Sequence, residues 1–135
     1  RVRRQSLKFL LHGVWLRQPA LDVPQMEIDV LALGTYTPLK ASKRTFPVVI
    51  AGAWRAAEGD VAIALASINN EKLTLKLPID VDAYGLAHGS EISRIDERGR
   101  RRIGRFDPGD PVLQLELPPR DLCVLEFSAF SPAPR

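Results

Sequence analysis

The sequence predicts an all-β fold: an antiparallel β-sandwich, Greek-key-like, of about eight strands, preceded by one N-terminal helix. Three observations predict it. Apolar residues alternate with period two in short runs from residue 26 onward, turn-forming Asn, Gly and Pro separate those runs, and helical periodicity is confined to the first 13 residues. A strand–helix–strand rhythm is missing from the sequence, which argues against a parallel sheet.

The opening "RVRRQSLKFLLHG" (1–13) places Leu7, Leu10, Leu11 and Val14 at the i, i+3, i+4, i+7 spacing of one helix face, with Arg1, Arg4, Gln5 and Lys8 on a polar flank. Gly13 supplies the stop. Val2 and Phe9, seven apart, form a second apolar strip, which predicts packing against two bodies; a helix lying on its own sheet with one exposed aromatic is the alternative. The first methionine is Met26, so an upstream segment is expected. Residues 14–25, with "RQPALDVP", read as a linker in which Pro19 and Pro24 hold the chain extended. The β-sandwich domain spans 26–130, and "SPAPR" (131–135) reads as a frayed tail.

Within that domain "MEIDVLALG" (26–34) and "PVVIAGAW" (47–54) are β-rich. "DVAIALASI" (60–68) puts Val61, Ile63 and Leu65 on one face and Ala62, Ala64 and Ala66 on the other, the pattern of a central strand covered on both sides. "NNEKLTLKLP" carries a turn at Asn69-Asn70 and inward Leu73, Leu75 and Leu77, a hairpin signal. "SEISRIDERGRRRIGRF" predicts a second hairpin turning at Arg98-Gly99, and "VLQLEL" (112–117) and "DLCVLEF" (121–127) complete the series.

Of the 135 residues 45% are hydrophobic and 26% charged, values of a folding domain rather than a disordered one. The lone Cys123 excludes an internal disulfide and sits in a strand-like run as a small hydrophobe. Two histidines and one core cysteine without clustered spacing predict no metal site, and no G-x-S-x-G elbow marks a nucleophile. Asp80 with Asp82, Asp96 with Glu97 and Asp107 with Asp110 all fall in turns, where aspartate accepts backbone hydrogen bonds; no calcium loop motif accompanies them. No catalytic residue and no cofactor is predicted. No run approaches the roughly 20 apolar residues of a membrane span, and no signal-peptide core follows the basic start, so the compartment stays open.

Two clusters could bind ligands. Arg98, Arg100, Arg101, Arg102 and Arg105, with Arg94, surround one hairpin and would contact a polyanion, at a net charge of +3. Asp96, Glu97, Asp107 and Asp110 cut that field and no aromatics interleave, which argues against nucleic acid and for a salt-bridged hairpin. Tyr36, Trp54 and Tyr84 are candidate sugar contacts, since sugar C–H faces stack on aromatic rings.

The order "LKFLLHGVWLRQPALDVP", "VVIAGAWRAAEGDVAIALASINNEKLTLKLPID", "YGLAHGSEISRIDERGR" and "LQLELPPRDLCVLEF" resembles the C-terminal β-sandwich that follows the (β/α)8 barrel in many bacterial glycoside hydrolases. The resemblance implies that catalytic carboxylates stand on barrel loops outside this sequence. It implies a non-catalytic accessory domain whose partner is an upstream barrel of the same parent chain, stabilised by interdomain packing through Leu7, Phe9, Leu10, Leu11, Val14 and Trp15. An independent carbohydrate-binding module is the alternative, and a polyanion-binding domain centred on the arginine hairpin is a further one.

Overall fold

The computed structural model describes residues 1–32 and 40–128. Two helical turns open the chain, α1 (Val2–Gln5) and α2 (Leu7–Leu10). The strands β1 (Val14–Leu16), β2 (Gln25–Ala32), β3 (Lys40–Pro47), β4 (Val49–Arg55), β5 (Val61–Ser67) and β6 (Leu73–Pro78) follow. A short α3 (Val81–Tyr84) then leads to β7 (Ser90–Asp96), β8 (Gly99–Phe106), β9 (Val112–Leu117) and β10 (Leu122–Ser128). Every strand pairing described is antiparallel.

One six-stranded sheet, ordered β1-β4-β5-β10-β7-β8, forms the larger layer, and the two-stranded β6–β9 ribbon faces it. The chain leaves the sheet after β5, crosses to β6, returns for β7 and β8, crosses again to β9, and inserts β10 between β5 and β7. That is the Greek-key-like connectivity the turn spacing predicted. Period two decides which side chains fill the space between the layers. Val61, Ile63 and Leu65 of β5 and Cys123, Leu125 and Phe127 of β10 meet Leu75, Leu77, Leu115 and Leu117 of the ribbon, all buried. Phe106 and Phe127 pack edge to face with centroids 5.6 Å apart. Burial of each such side chain stabilises by about 1.5–3 kcal/mol. The ribbon's other face, Thr74, Lys76, Gln114 and Glu116, is exposed.

The opposite face of the sheet is paved with small residues, and that leaves room for the helical turns. Val2 and Phe9 are buried there with Ala56, Ala62, Ile95 and Val124. The Val2–Phe9 strip therefore faces this domain's own sheet while Leu7, Leu10 and Leu11 are exposed, and the alternative in which the aromatic is the exposed residue is corrected. A single helix over 1–13 is also corrected, because the helix breaks at Ser6, whose amide bonds to Val2 O and Arg3 O and whose backbone leaves helical geometry. Two four-residue helices cannot sustain themselves in water, so packing holds them.

Other boundaries shift for physical reasons. The segment read as a linker begins with β1, paired to β4 through Val14↔Arg55, Trp15↔Trp54 and Leu16↔Ala53. β3 is a strand despite the polar run "KASKRTFP", because it needs only to pair with β2. β2 and β3 bond to each other and to no other described strand, so Met26 reaches the core while Leu31 is exposed. The Asn69-Asn70 turn makes no β5–β6 hairpin; it carries the chain between layers, and β6 pairs with β9. The Arg98-Gly99 hairpin forms, with Asp96 opposite Gly99. The 131–135 tail lies outside the described residues.

Phe9 is fully buried on the outer face. Phe9→Ala is expected to destabilise the chain by about 3–5 kcal/mol, a cavity cost measurable by urea unfolding, whereas Leu11→Ala should cost well under about 1 kcal/mol.

Candidate functional site

The helical turns cover only part of the outer face. Strand register sets Ile50, Ala66 and Leu122 side by side across β4, β5 and β10, and sets Gly52, Ala64, Val124 and Ile95 in the parallel row. α1 and α2 close over Ala62, Val124 and Ile95. They leave Ile50 51%, Leu122 47% and Trp15 61% exposed. Leu11 and Val14 are also exposed, and Leu7 and Leu10 less so. Isolated apolar residues on a surface are ordinary; here Trp15, Ile50 and Leu122 are exposed on the same side of one sheet, beside the helical turns that carry Leu7 and Leu10.

At its β1 edge the surface is built by two tryptophans. Trp15 and Trp54, directly opposed in register, meet nearly perpendicular, with centroids 4.6 Å apart. Their ring ends lie over Gly52: a Cβ there would stand 2.6 Å from Trp54 Cη2 and 3.2 Å from Trp15 Cη2. Glycine in this central strand is thus a close-approach requirement rather than a turn.

A charged anchor fixes the cover. Glu126 on β10 is a carboxylate on the outer face with its side chain 3% exposed. Lys8 Nζ lies 2.8 Å from it and also pairs with Asp60 and with Glu58 at 3.1 Å. Burial alone would lower the Lys8 pKa; the hydrogen bonds it donates to Asp60, Glu126 and Glu58 outweigh burial and raise it. Arg100 Nε donates to the other Glu126 oxygen at 2.7 Å.

The remaining arginines surround Asp96. Arg101 grips it through both guanidinium nitrogens, at 2.9 and 2.7 Å, and the Arg98 amide donates to Oδ1 at 3.0 Å. The Arg101 hydrogen bonds hold the Asp96 pKa below the usual carboxylate value of 3.8, against burial, which pulls it up. Arg102 Nε pairs with Glu91 at 3.1 Å. Of the arginines expected to contact a polyanion, Arg100, Arg101 and Arg102 are therefore committed to carboxylates of this chain. Arg98 and Arg105 are exposed.

The expected sugar contacts separate. Tyr84 is buried, and its hydroxyl donates to Arg17 O at 2.7 Å; it is an internal strut joining α3 to the segment after β1, not a stacking platform. Burial raises its pKa, with Asp80 adding to the effect. Trp54 is half-buried against Trp15, and the more open ring is Trp15. Tyr36 lies outside the described residues. Of the residues expected to pack between domains, Leu7, Leu10, Leu11, Val14 and Trp15 are exposed, while Phe9 is spent inside. Ile50 and Leu122 join the surface through strand register, which no local periodicity signals. Burial pushes the Cys123 thiol up to about 11, leaving it an inert core residue.

No family model matches the chain, and no curated protein matches it. Among solved structures, it is similar to a candidate alpha-N-acetylgalactosaminidase from Bacillus halodurans C-125, with a TM-score of 0.49 and 20% sequence identity. The match covers 62% of this chain and 18% of that chain, so the chain spans under a fifth of the other protein's length.

Two outcomes follow from this geometry. As pH falls, the unfolded chain takes up the Asp96 proton first, so the stability held by Asp96 is present in full above its ordinary pKa and disappears as pH drops through the lower folded value. Asp96→Asn should therefore reduce stability at neutral pH and flatten the decline between about pH 5 and pH 2 in urea unfolding. Gly52→Ala should displace the indole ends, changing tryptophan emission while lowering the unfolding free energy by about 1 kcal/mol; an unaltered spectrum would contradict the close packing over Gly52.

Proposed function

We propose that this chain is a non-catalytic accessory domain of a glycoside hydrolase, stabilising the catalytic barrel by packing against it. The observation that carries the reading is the half-covered outer face: Leu7, Leu10 and Leu11 of the N-terminal segment, with Trp15, Ile50 and Leu122 on the sheet, are exposed, and Val14 adds an exposed apolar side chain on the other side of β1. The sequence resemblance to glycosidase C-terminal sandwiches supports the identity of the partner. Apolar residues presented on a rigid sheet lose little conformational entropy on docking, which suits a permanent intramolecular contact. The N-terminal turns lie on that same face, so a domain preceding them would meet those exposed residues directly.

A second reading, an independent carbohydrate-binding module, is favoured by the exposure of Trp15 beside Trp54. Thermal unfolding with neutral oligosaccharides separates the two, because a ligand that binds only the native state raises the midpoint by mass action. The packing reading expects no shift at millimolar sugar; a shift that Trp15→Ala abolishes would replace it with the sugar-binding one. Packing further expects that Leu11→Glu with Leu122→Glu leaves this chain folded but removes its binding of an apolar dye. In the parent glycosidase, the same pair should lower the temperature of heat inactivation. An unchanged inactivation temperature would overturn the reading.

A further inference from the structure

A cleft of about 420 Å³ opens at one end of the sandwich, where the β7–β8 turn, the β9–β10 loop and the start of β6 converge. Its basic wall is Lys72, Arg98, Arg101 and Arg120, and its acidic lip is Glu97 and Glu116. Beneath them the carboxylates are already occupied. Asp96 accepts from Arg101 twice and from the Arg98 amide, and Asp121 accepts from Arg94 Nη2 at 3.0 Å. Glu116 is held by Lys72 at 3.1 Å. Arg94 completes the floor, donating to Glu116 O at 3.1 Å, with its buried Nε 3.2 Å from Asp96 Oδ2 but lacking a hydrogen bond.

What remains unspent is donor capacity. The Arg98 side chain has no partner among the described residues. Arg120 donates only to the neutral Asn70 Oδ1, at 3.2 Å from Nε and 3.0 Å from Nη2. Arg120 is also the one non-glycine residue of positive φ among those described, at 50°. It follows Pro118-Pro119, and its amide is tied to Asn69 O at 3.0 Å. A left-handed backbone is disfavoured for arginine and persists where surrounding structure enforces it. Arg120 thus lines the same cleft as Arg98, with a guanidinium that no carboxylate engages.

We infer that this cleft binds an oxyanion group, a carboxylate, phosphate or sulfate, clasped between Arg98 and Arg120, with Lys72 and the free edge of Arg101 as further donors. The group belongs either to a small free ion or to an acidic sugar. Fork-shaped guanidinium donors match such oxygens, and Glu97 at the lip opposes them electrostatically.

The test is calorimetric titration of the whole chain at low salt with inorganic phosphate, sulfate, glucuronate and, as a neutral control, glucose. Saturable binding of at least one anionic probe and none of glucose is expected. Arg98→Gln and Arg120→Gln should each weaken it about tenfold or more, and Glu97→Gln should strengthen it. Binding of glucuronate without the inorganic ions would identify an acidic sugar; binding of the inorganic ions alone would identify a free oxyanion. Arg98→Gln removes no internal contact, so its unliganded midpoint should match the parent. The inference is overturned if no anionic probe binds, or if Arg105→Gln, on the far part of β8, weakens binding as much as Arg98→Gln.

Discussion

Glu126 is a carboxylate embedded near the middle of the sheet, and the arrangement of the outer face follows from the need to satisfy it. A buried charge left unpaired costs several kcal/mol. Two cations meet it, one at each oxygen: Lys8 from the helical turns and Arg100 from β8. The pair therefore ties the N-terminal segment and an outer strand to the same central residue. Lys8 reaches Glu126 only if α2 lies across the face, and in that position Phe9 falls onto Ala62 and Val124. Alanines along β5 set the depth of that contact; a larger side chain at Ala62 would lift the helix and pull the ammonium away. Ionic and apolar terms thus specify one position for two helices too short to hold themselves.

The arginine-rich strand gains a structural explanation from its place. β8 is an edge of the sheet, and an open edge invites another strand to pair with it. Charged side chains discourage that, and Arg100, Arg101 and Arg102 each also balance a carboxylate of β7 or β10. The cleft inferred to bind oxyanions draws mainly on arginines of two turns, Arg98 and Arg120, which no carboxylate engages, with Arg101 of β8 contributing only the edge that Asp96 leaves open. Residues that look alike in the sequence thus differ in how much of their donor capacity is already committed.

What was legible in the sequence follows the range of the interactions involved. The two-faced composition of β5 and the inward leucines of β6 and β9 are local patterns, and the buried residues match them. β3 was hidden because its pairing with β2 asks for little apolar content, and β1 because three residues are too few to show a period. Both apolar strips of the N-terminal segment were legible, but which of them meets the sheet was not, because that depends on the distant Lys8–Glu126 pairing and the small residues of β5. The surface joining Trp15, Ile50 and Leu122 comes from register between strands distant in sequence, and the cleft brings together residues 72, 98 and 120. Such assemblies have no local spacing to read. Tyr84 was misread for the complementary reason: an aromatic in a turn-like stretch has the same sequence signature whether its hydroxyl meets solvent or a backbone carbonyl.

The ways this fold can meet a partner are restricted by what its edges and faces already hold. β8 is guarded by arginines, and β1 offers only three residues, too short an edge to template a stable strand addition. The inner face is filled by the β6–β9 ribbon. A partner seeking apolar area on the six-stranded sheet is left with the part of the outer face beside the helical turns, where the small Ala66 lies between Ile50 and Leu122, with Trp15 nearby over Gly52. A small residue at the floor and large ones at the rim suit a helix or loop laid into the face, since bulky side chains of the partner would find space over the alanine. Gly52 leaves room for the ends of the two perpendicular indoles that form that rim, so a single missing Cβ links the packing of β1 to the shape of the surface.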